Sequence, residues 1–402
     1  MILSVDKSDW KSVTLGEVVR KVEENDKANA RNRFDRFLKV QHMDAETLRL
    51  SNWAEQKDQE LPPTFYKIFR KGQILYPTRN PHLRRTALAS FDGICGEKTL
   101  TLQPNEEKVD KDFIPFLFHS QSFYNHTTNA IVGSTNPHVR WRDVANYQFL
   151  LPPKPEQARL AELLWAGDAV LEGETKSELA LEALLANKTE ALIHGLELNG
   201  KTISQVIQEL KRIHEWTNLG KLGRFLRGKS IPKKAVQQSG VKCVRYGEIY
   251  TKHHRHVRSY SSFVSKEEAL KATRLKHGDI LFATSGETME DIGKSASILS
   301  DEEVYAGSDI AIFTEHDLNP IYSGYLMNSL IVRQQLNKYG TGAIVIHIYP
   351  DNLQKVVIPI HSALKQAEIA TTLESIRKSI DECQELQSST RALQKSLINQ
   401  IF

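Results

Sequence analysis

Cysteine is scarce: Cys95, Cys243 and Cys383 stand far apart in 402 residues and form no C-x-x-C pair. Neither a disulfide framework nor a zinc knuckle has the residues it needs. No apolar run approaches the ~20 residues that cross a bilayer. The opening stretch carries Asp6, Lys7, Ser8 and Asp9 where a secretory leader needs an apolar core. The chain is therefore expected to be cytoplasmic, with no membrane partner. Neither sign of charge dominates: 53 Lys and Arg against 49 Asp and Glu give a formal net charge of +4, too small to name a partner. Hydrophobic residues at 40% and charged ones at 25% are those of a folded globular protein. The length exceeds the ~100–200 residues of one ordinary domain.

The signatures of catalysis are missing too. Neither G-x-S-x-G nor H-E-x-x-H occurs. A DNA adenine methyltransferase needs a D/N-P-P-aromatic turn around a flipped base. Leu61-Pro62-Pro63-Thr64 and Leu151-Pro152-Pro153-Lys154 offer neither the acid or amide nor the aromatic. Gly223-Arg224-Phe225-Leu226-Arg227-Gly228-Lys229-Ser230 does spell G-x-x-x-x-G-K-[ST]. A phosphate loop, however, follows a buried strand and opens a helix; Glu215–Lys221 is too polar for that strand, and Pro232 interrupts the helix. The string reads as a basic turn. A nucleotide-binding protein is kept as the alternative, which ATP binding lost on substitution of Lys229 would reveal. His253-His254-Arg255-His256 has no carboxylate or thiol beside it and reads as a basic contact strip ending at Tyr260, not as a metal site. No catalytic residue, metal or cofactor is expected.

What is present is positive charge in two blocks. Lys221–Arg258 holds eleven Lys or Arg and one acid, and Thr64–Ser90 holds six and none, whereas Glu156–Glu197 is acidic. Such blocks suit contact with phosphate backbone. The chain also repeats itself once. Leu15-Gly16, Arg70-Lys71-Gly72-Gln73-Ile74-Leu75, Gly133-Ser134-Thr135 with His138, Pro152 and Glu156-Gln157-x-x-x-Ala161 recur in the same order. Their counterparts are Leu219-Gly220, Lys276-His277-Gly278-Asp279-Ile280-Leu281, Gly340-Thr341-Gly342 with His347, Pro359 and Lys365-Gln366-x-x-x-Ala370. A unit of about 200 residues is a duplicated domain plus helix rather than a solenoid repeat.

Each copy opens with short apolar runs between Gly, Pro and Asn, with helical stretches interspersed, and closes on a heptad seam. The first seam is Leu160, Leu164, Leu171, Leu181, Leu185 and Leu192; the second is Ile369, Leu373, Ile376, Ile380 and Leu397, with Cys383 and Ile401 on the same spacing. The fold expected is mixed α/β: two duplicated α/β domains separated by two long, antiparallel, coiled-coil-like helices. The boundaries read as 1–151, 152–200, 201–358 and 359–402.

This organisation resembles the specificity subunits (HsdS) of type I restriction-modification enzymes. The most specific likeness is Leu150-Leu151-Pro152-Pro153-Lys154-Pro155-Glu156-Gln157-Ala158-Arg159-Leu160-Ala161, similar to the hinge by which these subunits leave a target-recognition domain and enter a helix. The second hinge departs from the pattern: Ile358-Pro359-Ile360-His361 lacks the double proline. The resemblance implies a non-catalytic DNA-binding subunit whose two recognition domains each read half of an interrupted double-stranded site. The helices would set the gap and dock two methyltransferase subunits, with restriction (motor-nuclease) subunits joining the complex. The alternative is a recognition module of another defence system, which would bind DNA and ignore methyltransferase subunits. DNA contact is expected from Arg79, Arg84, Arg85, Arg140 and Arg142 in the first domain and from Lys229, Lys233, Lys234, Arg245, Arg255 and Arg258 in the second. Arginine reads guanine edges bidentately and lysine mostly meets phosphate.

Overall fold

The computed structural model describes residues 6–195, 215–229, 231–286, 288–341 and 346–402. Gly342, Ser230 and the expected boundary between residues 200 and 201 lie outside the described residues. Two helices exceed all others: Lys154–His194 and Ala363–Ile401. The chain divides into two compact units, Met1–Lys176 with Gln384–Phe402, and Ser177–Cys383. Each unit thus holds one globular head and one segment of each long helix. Among the described residues no helix is long and apolar enough to cross a membrane.

In the first unit Lys11–Thr14 pairs antiparallel with Gln148–Leu151, so the head closes next to its own beginning. A four-stranded sheet runs Val19–Val22, Thr99–Pro104, Ile74–Pro77, Ala87–Leu88. Beside it lies a five-stranded sheet in which Arg36–Leu38 is parallel to Gly93–Gly96 and the other pairs are antiparallel. The second unit repeats the scheme: Trp216–Asn218 pairs with Val357–Pro359, and a five-stranded and a four-stranded sheet carry the core. Val241–Val244 is parallel to Val304–Ala306 there, as Arg36–Leu38 is to Gly93–Gly96 in the first head.

The sequence repeat is a repeat of hydrogen bonds. Gly72 and Gly278 adopt φ of +84° and +87°, the left-handed region that glycine enters without steric cost. Their amides donate to Ala89 O (2.8 Å) and Ile298 O (2.9 Å), and the turns are closed by the Gln73 and Asp279 side chains accepting from Arg70 N and Lys276 N. The glutamines of the hinge motif are the second duplicated brace. Gln157 Oε1 accepts from Asp110 N (2.7 Å) and Gln366 Oε1 from Asn319 N (2.8 Å), while their Nε2 atoms donate to Pro152 O and His361 O. Buried backbone groups are thereby paired where each head meets its helix.

The heptad leucines are shared between helix pairing and the heads. In the first unit Ala161, Leu164, Leu397, Ile398 and Ile401 join one core with Trp10, Leu15, Phe113, Phe116 and Phe149, and Leu160 packs at its edge. Leu171 instead lines a cleft of about 760 Å³ beside Leu48, Trp165 and Ile398. The helix segments run antiparallel: Thr390 donates to Glu174 (3.0 Å), while Asp168 meets Gln394. In the second unit Leu185, Ile193, Ile369, Leu373 and Ile380 join the core of Phe282, Phe313 and Tyr322, with Leu181, Leu192 and Ile376 packed on it. At the end of the first helix the fully buried residue is Ile193, one position past the sequence-derived Leu192.

A third duplicated contact carries a charge in one copy alone. In the first unit Asn399 accepts from the Gln121 amide (2.7 Å); in the second Glu190 accepts from the Leu330 amide (2.7 Å). Burial pushes Glu190 up to about 7, against the pull of the Leu330 amide, and its second oxygen is buried with no hydrogen-bond partner among the described residues, 3.8 Å from His194 Nε2. A carboxyl raised in the folded state binds a proton that the unfolded chain releases, so its contribution falls as pH rises from about 4.5 to about 7. Glu190→Gln, which keeps the acceptor that Asn399 provides naturally, is expected to stabilise the second unit by of order 2–3 kcal/mol at pH 8 and by little at pH 4.5. Denaturant unfolding followed through Trp216, the one tryptophan of that unit, is the measurement; an equal gain at both pH values would show that the charge is not the cost.

Candidate nucleic-acid interface

In the first head a short ladder stands beside the four-stranded sheet. Val139 N donates to Thr78 O (3.0 Å), Arg79 bridges His138, and Asn80 N donates to Pro137 O (3.2 Å). Side chains alternate faces along such backbone. Thr78 and Val139 are buried, whereas Arg79 and Arg140 are exposed and His138 is half-exposed. Arg79, His138 and Arg140 therefore share one face. Glu97, which feels the charge of Arg79, is itself engaged by Tyr66 (3.0 Å) and Lys98 (3.1 Å). The His138 ring is held through Nδ1 against Asn136 O at 2.9 Å. Arg142 follows two residues after Arg140, in the short helix Trp141–Ala145, 71% exposed and 3.4 Å from Asp143.

The second head carries the same ladder. Ile348 N donates to Thr284 O (3.1 Å), and Ser285 pairs with His347. Val132–His138 and Thr341–His347 close the two loops by the same reciprocal bonds. His347 Nδ1 is 2.9 Å from the Ser285 hydroxyl, which also reaches Asp309. Tyr349, exposed and at the N-cap of a short helix, stands where Arg140 stands in the first head.

The remaining sequence-derived cations divide into those with no ion pair among the described residues and engaged ones. Lys229, Lys233 and Lys234 are exposed, and Arg245 is half-buried at a helix N-cap. Arg84 lies 3.8 Å from the Tyr124 ring centroid and pairs with Glu46 (2.7 Å), and Arg85 donates to Val40 O (2.9 Å). Arg255 sits over Tyr325, and Arg258 is paired with Glu374 of the second long helix (2.7 Å). The strip around them is not a solvent-facing one: His253 and His256 are buried, and His256 Nε2 bonds Ile321 O. The basic blocks are thinner than their counts. Lys67 is buried against Glu97 O and Thr99 O, Arg70 is paired with Glu24 and Asp92, and Arg224 with Glu315.

Arg258 has a counterpart that sequence reasoning missed. Arg49 of the first head pairs with Asp168 and with Glu172 (2.6 Å) on the first long helix. Each head is thus tied by an arginine to acids on the helix that follows it. Burial holds the Asp168 carboxyl above its ordinary range despite the Arg49 guanidinium. Nothing local marks Arg49, because its partners lie more than a hundred residues away.

The centre of the string resembling a phosphate loop, Arg224–Arg227, is a strand. It pairs antiparallel with Ile310–Thr314, and Gly228 N donates to Ile310 O. A Cβ on Gly228 would collide with Gly307 O, so close backbone approach accounts for that glycine. The geometry does not favour the nucleotide-binding alternative. Among the described residues no group of three or more His, Cys, Asp or Glu is placed to hold a metal ion.

Comparison with known proteins agrees with this architecture. The sequence model of the type I restriction modification DNA specificity domain matches residues 7–183. The EcoDI specificity subunit of a type I restriction enzyme from Escherichia coli is 29% identical over 115 residues, 28% of this chain; the chain spans about a quarter of that protein's length. Two solved structures share the fold nearly end to end. One, from a type I restriction-modification system studied for its complex assembly and conformational transition, has a TM-score of 0.60 at 21% identity, covering 98% of this chain and 96% of its own. The other, the S subunit of a type I system from M. genitalium, has a TM-score of 0.57 at 14% identity, covering 100% and 98%. With the DNA specificity domain matched over residues 7–183 and the same hydrogen bonds repeated in the second unit, the chain is similar in sequence and in fold to type I restriction-modification specificity subunits.

Proposed function

We propose that this chain is the non-catalytic DNA-recognition subunit of a type I restriction-modification complex. Each head reads one half of an interrupted double-stranded site, and the long helices set the gap. The same helices carry two methyltransferase subunits, and restriction subunits join the assembly in the cytoplasm. The observation that carries the reading is the duplication itself: two heads keep the same buried braces and the same ladder while its exposed side chains differ. That is what two readers of different sequences on one frame require. The boundaries 1–151, 152–200, 201–358 and 359–402 are proposed as recognition domain, helix, recognition domain and helix.

Methylome sequencing of a host with and without the gene tests this. One bipartite adenine-methylation motif is expected to vanish with the gene, and the purified chain alone is expected to transfer no methyl group. An unchanged methylome, or methyl transfer by the isolated chain, sinks the proposal. A chain that binds DNA but fails to co-purify with methyltransferase subunits belongs to another defence system.

A further inference from the structure

The two ladders offer an internal comparison, because residues that fold the head must be retained and residues that discriminate must differ. Thr78 and Val139 correspond to Thr284 and Ile348 and carry the ladder bonds in both heads. His138 and His347 are retained as well, each with Nδ1 held inside the chain. The positions flanking the histidine on its own face diverge. Arg79 and Arg140 stand exposed in the first head; in the second, Ser285 is buried holding His347, and Tyr349 is exposed.

A two-stranded ribbon fits the major groove, where arginine bonds guanine O6 and N7 through two parallel N–H groups. Neither serine nor tyrosine can make that contact. The Arg79 and Arg140 guanidiniums have no ion pair among the described residues, unlike Arg84 and Arg258. Resting on the recognition reading above, we propose that this ladder face is the base-reading edge of each head. Arg79 and Arg140 read guanines in the first half-site, and Tyr349 takes the corresponding place at the second.

The test uses the full chain in its methyltransferase complex, with Arg79→Ala, Arg79→Lys, Arg140→Ala and Tyr349→Ala. The readouts are the methylation motif and binding to single-substituted duplexes at two salt concentrations. Each arginine-to-alanine variant is expected to lose between about fivefold and 150-fold discrimination at one G·C pair of the same half-site. Arg79→Lys is expected to keep affinity for random DNA but lose the discrimination, because it keeps the charge without the fork. Tyr349→Ala is expected to alter the other half-site alone. All three positions are exposed, so thermal midpoints should match the unsubstituted chain. Equal weakening on every sequence with a shallower salt dependence would make the arginines phosphate contacts and overturn the proposal. So would unchanged discrimination, or a first half-site without a G·C pair. Failure of the unsubstituted chain to direct any methylation would instead overturn the recognition reading itself.

Discussion

If the chain reads DNA as proposed, exchanging residues 1–151 for the corresponding head of a type I specificity subunit is expected to replace one half of the recognised site and leave the other half and the gap unchanged. A specific site is typically bound ~10³–10⁷ times more tightly than random DNA, so modification should move from one motif to another rather than broaden. The incoming head has to satisfy the helix segments of its unit. It must cover Ala161, Leu164, Leu397, Ile398 and Ile401, which share the core of the first head. It must also offer an amide to Gln157 as Asp110 does, a donor to Glu156 as Trp10 does (3.0 Å), and a cation to Asp168 and Glu172 as Arg49 does. A relative that lacks the arginine would leave Asp168, 8% exposed at its side chain, without a counter-charge. Unpaired buried carboxylates are costly, so such a chimaera should fold poorly for reasons unrelated to DNA. Methylome sequencing of hosts expressing the chimaera is the measurement. Change in both halves of the motif would show that the heads do not read independently.

What the sequence made legible were the features that duplication and backbone chemistry both constrain. Gly72 and Gly278 recur because a left-handed turn precedes a buried strand in each head. Gln157 and Gln366 recur because each satisfies two backbone groups where a head meets its helix. The long helices announced themselves by periodicity, although a heptad reading alone assigns their apolar stripe to each other when much of it belongs to the heads. The state of the cations was not legible. Charge counted along the chain says nothing of acids brought from elsewhere: Glu46 neutralises Arg84, and Glu374 neutralises Arg258, 116 residues away. His138 and His347 were visible in the motif, but their role as the centre of a face needed the register of the ladder. Tyr349 carries no local signal, since it replaces the residue type expected there.

Gln157→Ala and Gln366→Ala are expected to destabilise their own units by about 2–4 kcal/mol each. Both side chains are buried, and each makes two bonds that alanine cannot: Oε1 accepts from a loop amide at 2.7 or 2.8 Å, and Nε2 donates to a hinge carbonyl at 2.7 or 2.9 Å. Truncation leaves a buried donor and a buried acceptor unpaired, each worth about 1–3 kcal/mol, and a water entering the space recovers part of the loss. The tryptophans separate the two effects. Trp10, Trp53, Trp141 and Trp165 report on the first unit and Trp216 on the second, so Gln157→Ala should shift the first signal and Gln366→Ala the second. Gln157→Glu sharpens the test. A neutral carboxyl can still accept from Asp110 N and donate to Pro152 O, whereas a carboxylate can do only the first and is buried as a charge. Its folded-state pKa is therefore raised, and the variant should approach the parent near pH 4 and fall away from it as pH rises toward 7. Denaturant titrations at the two pH values, read through the tryptophans, check both. A loss below about 0.5 kcal/mol in the alanine variants would mean that the hinge glutamine is replaceable by water and does not brace head to helix.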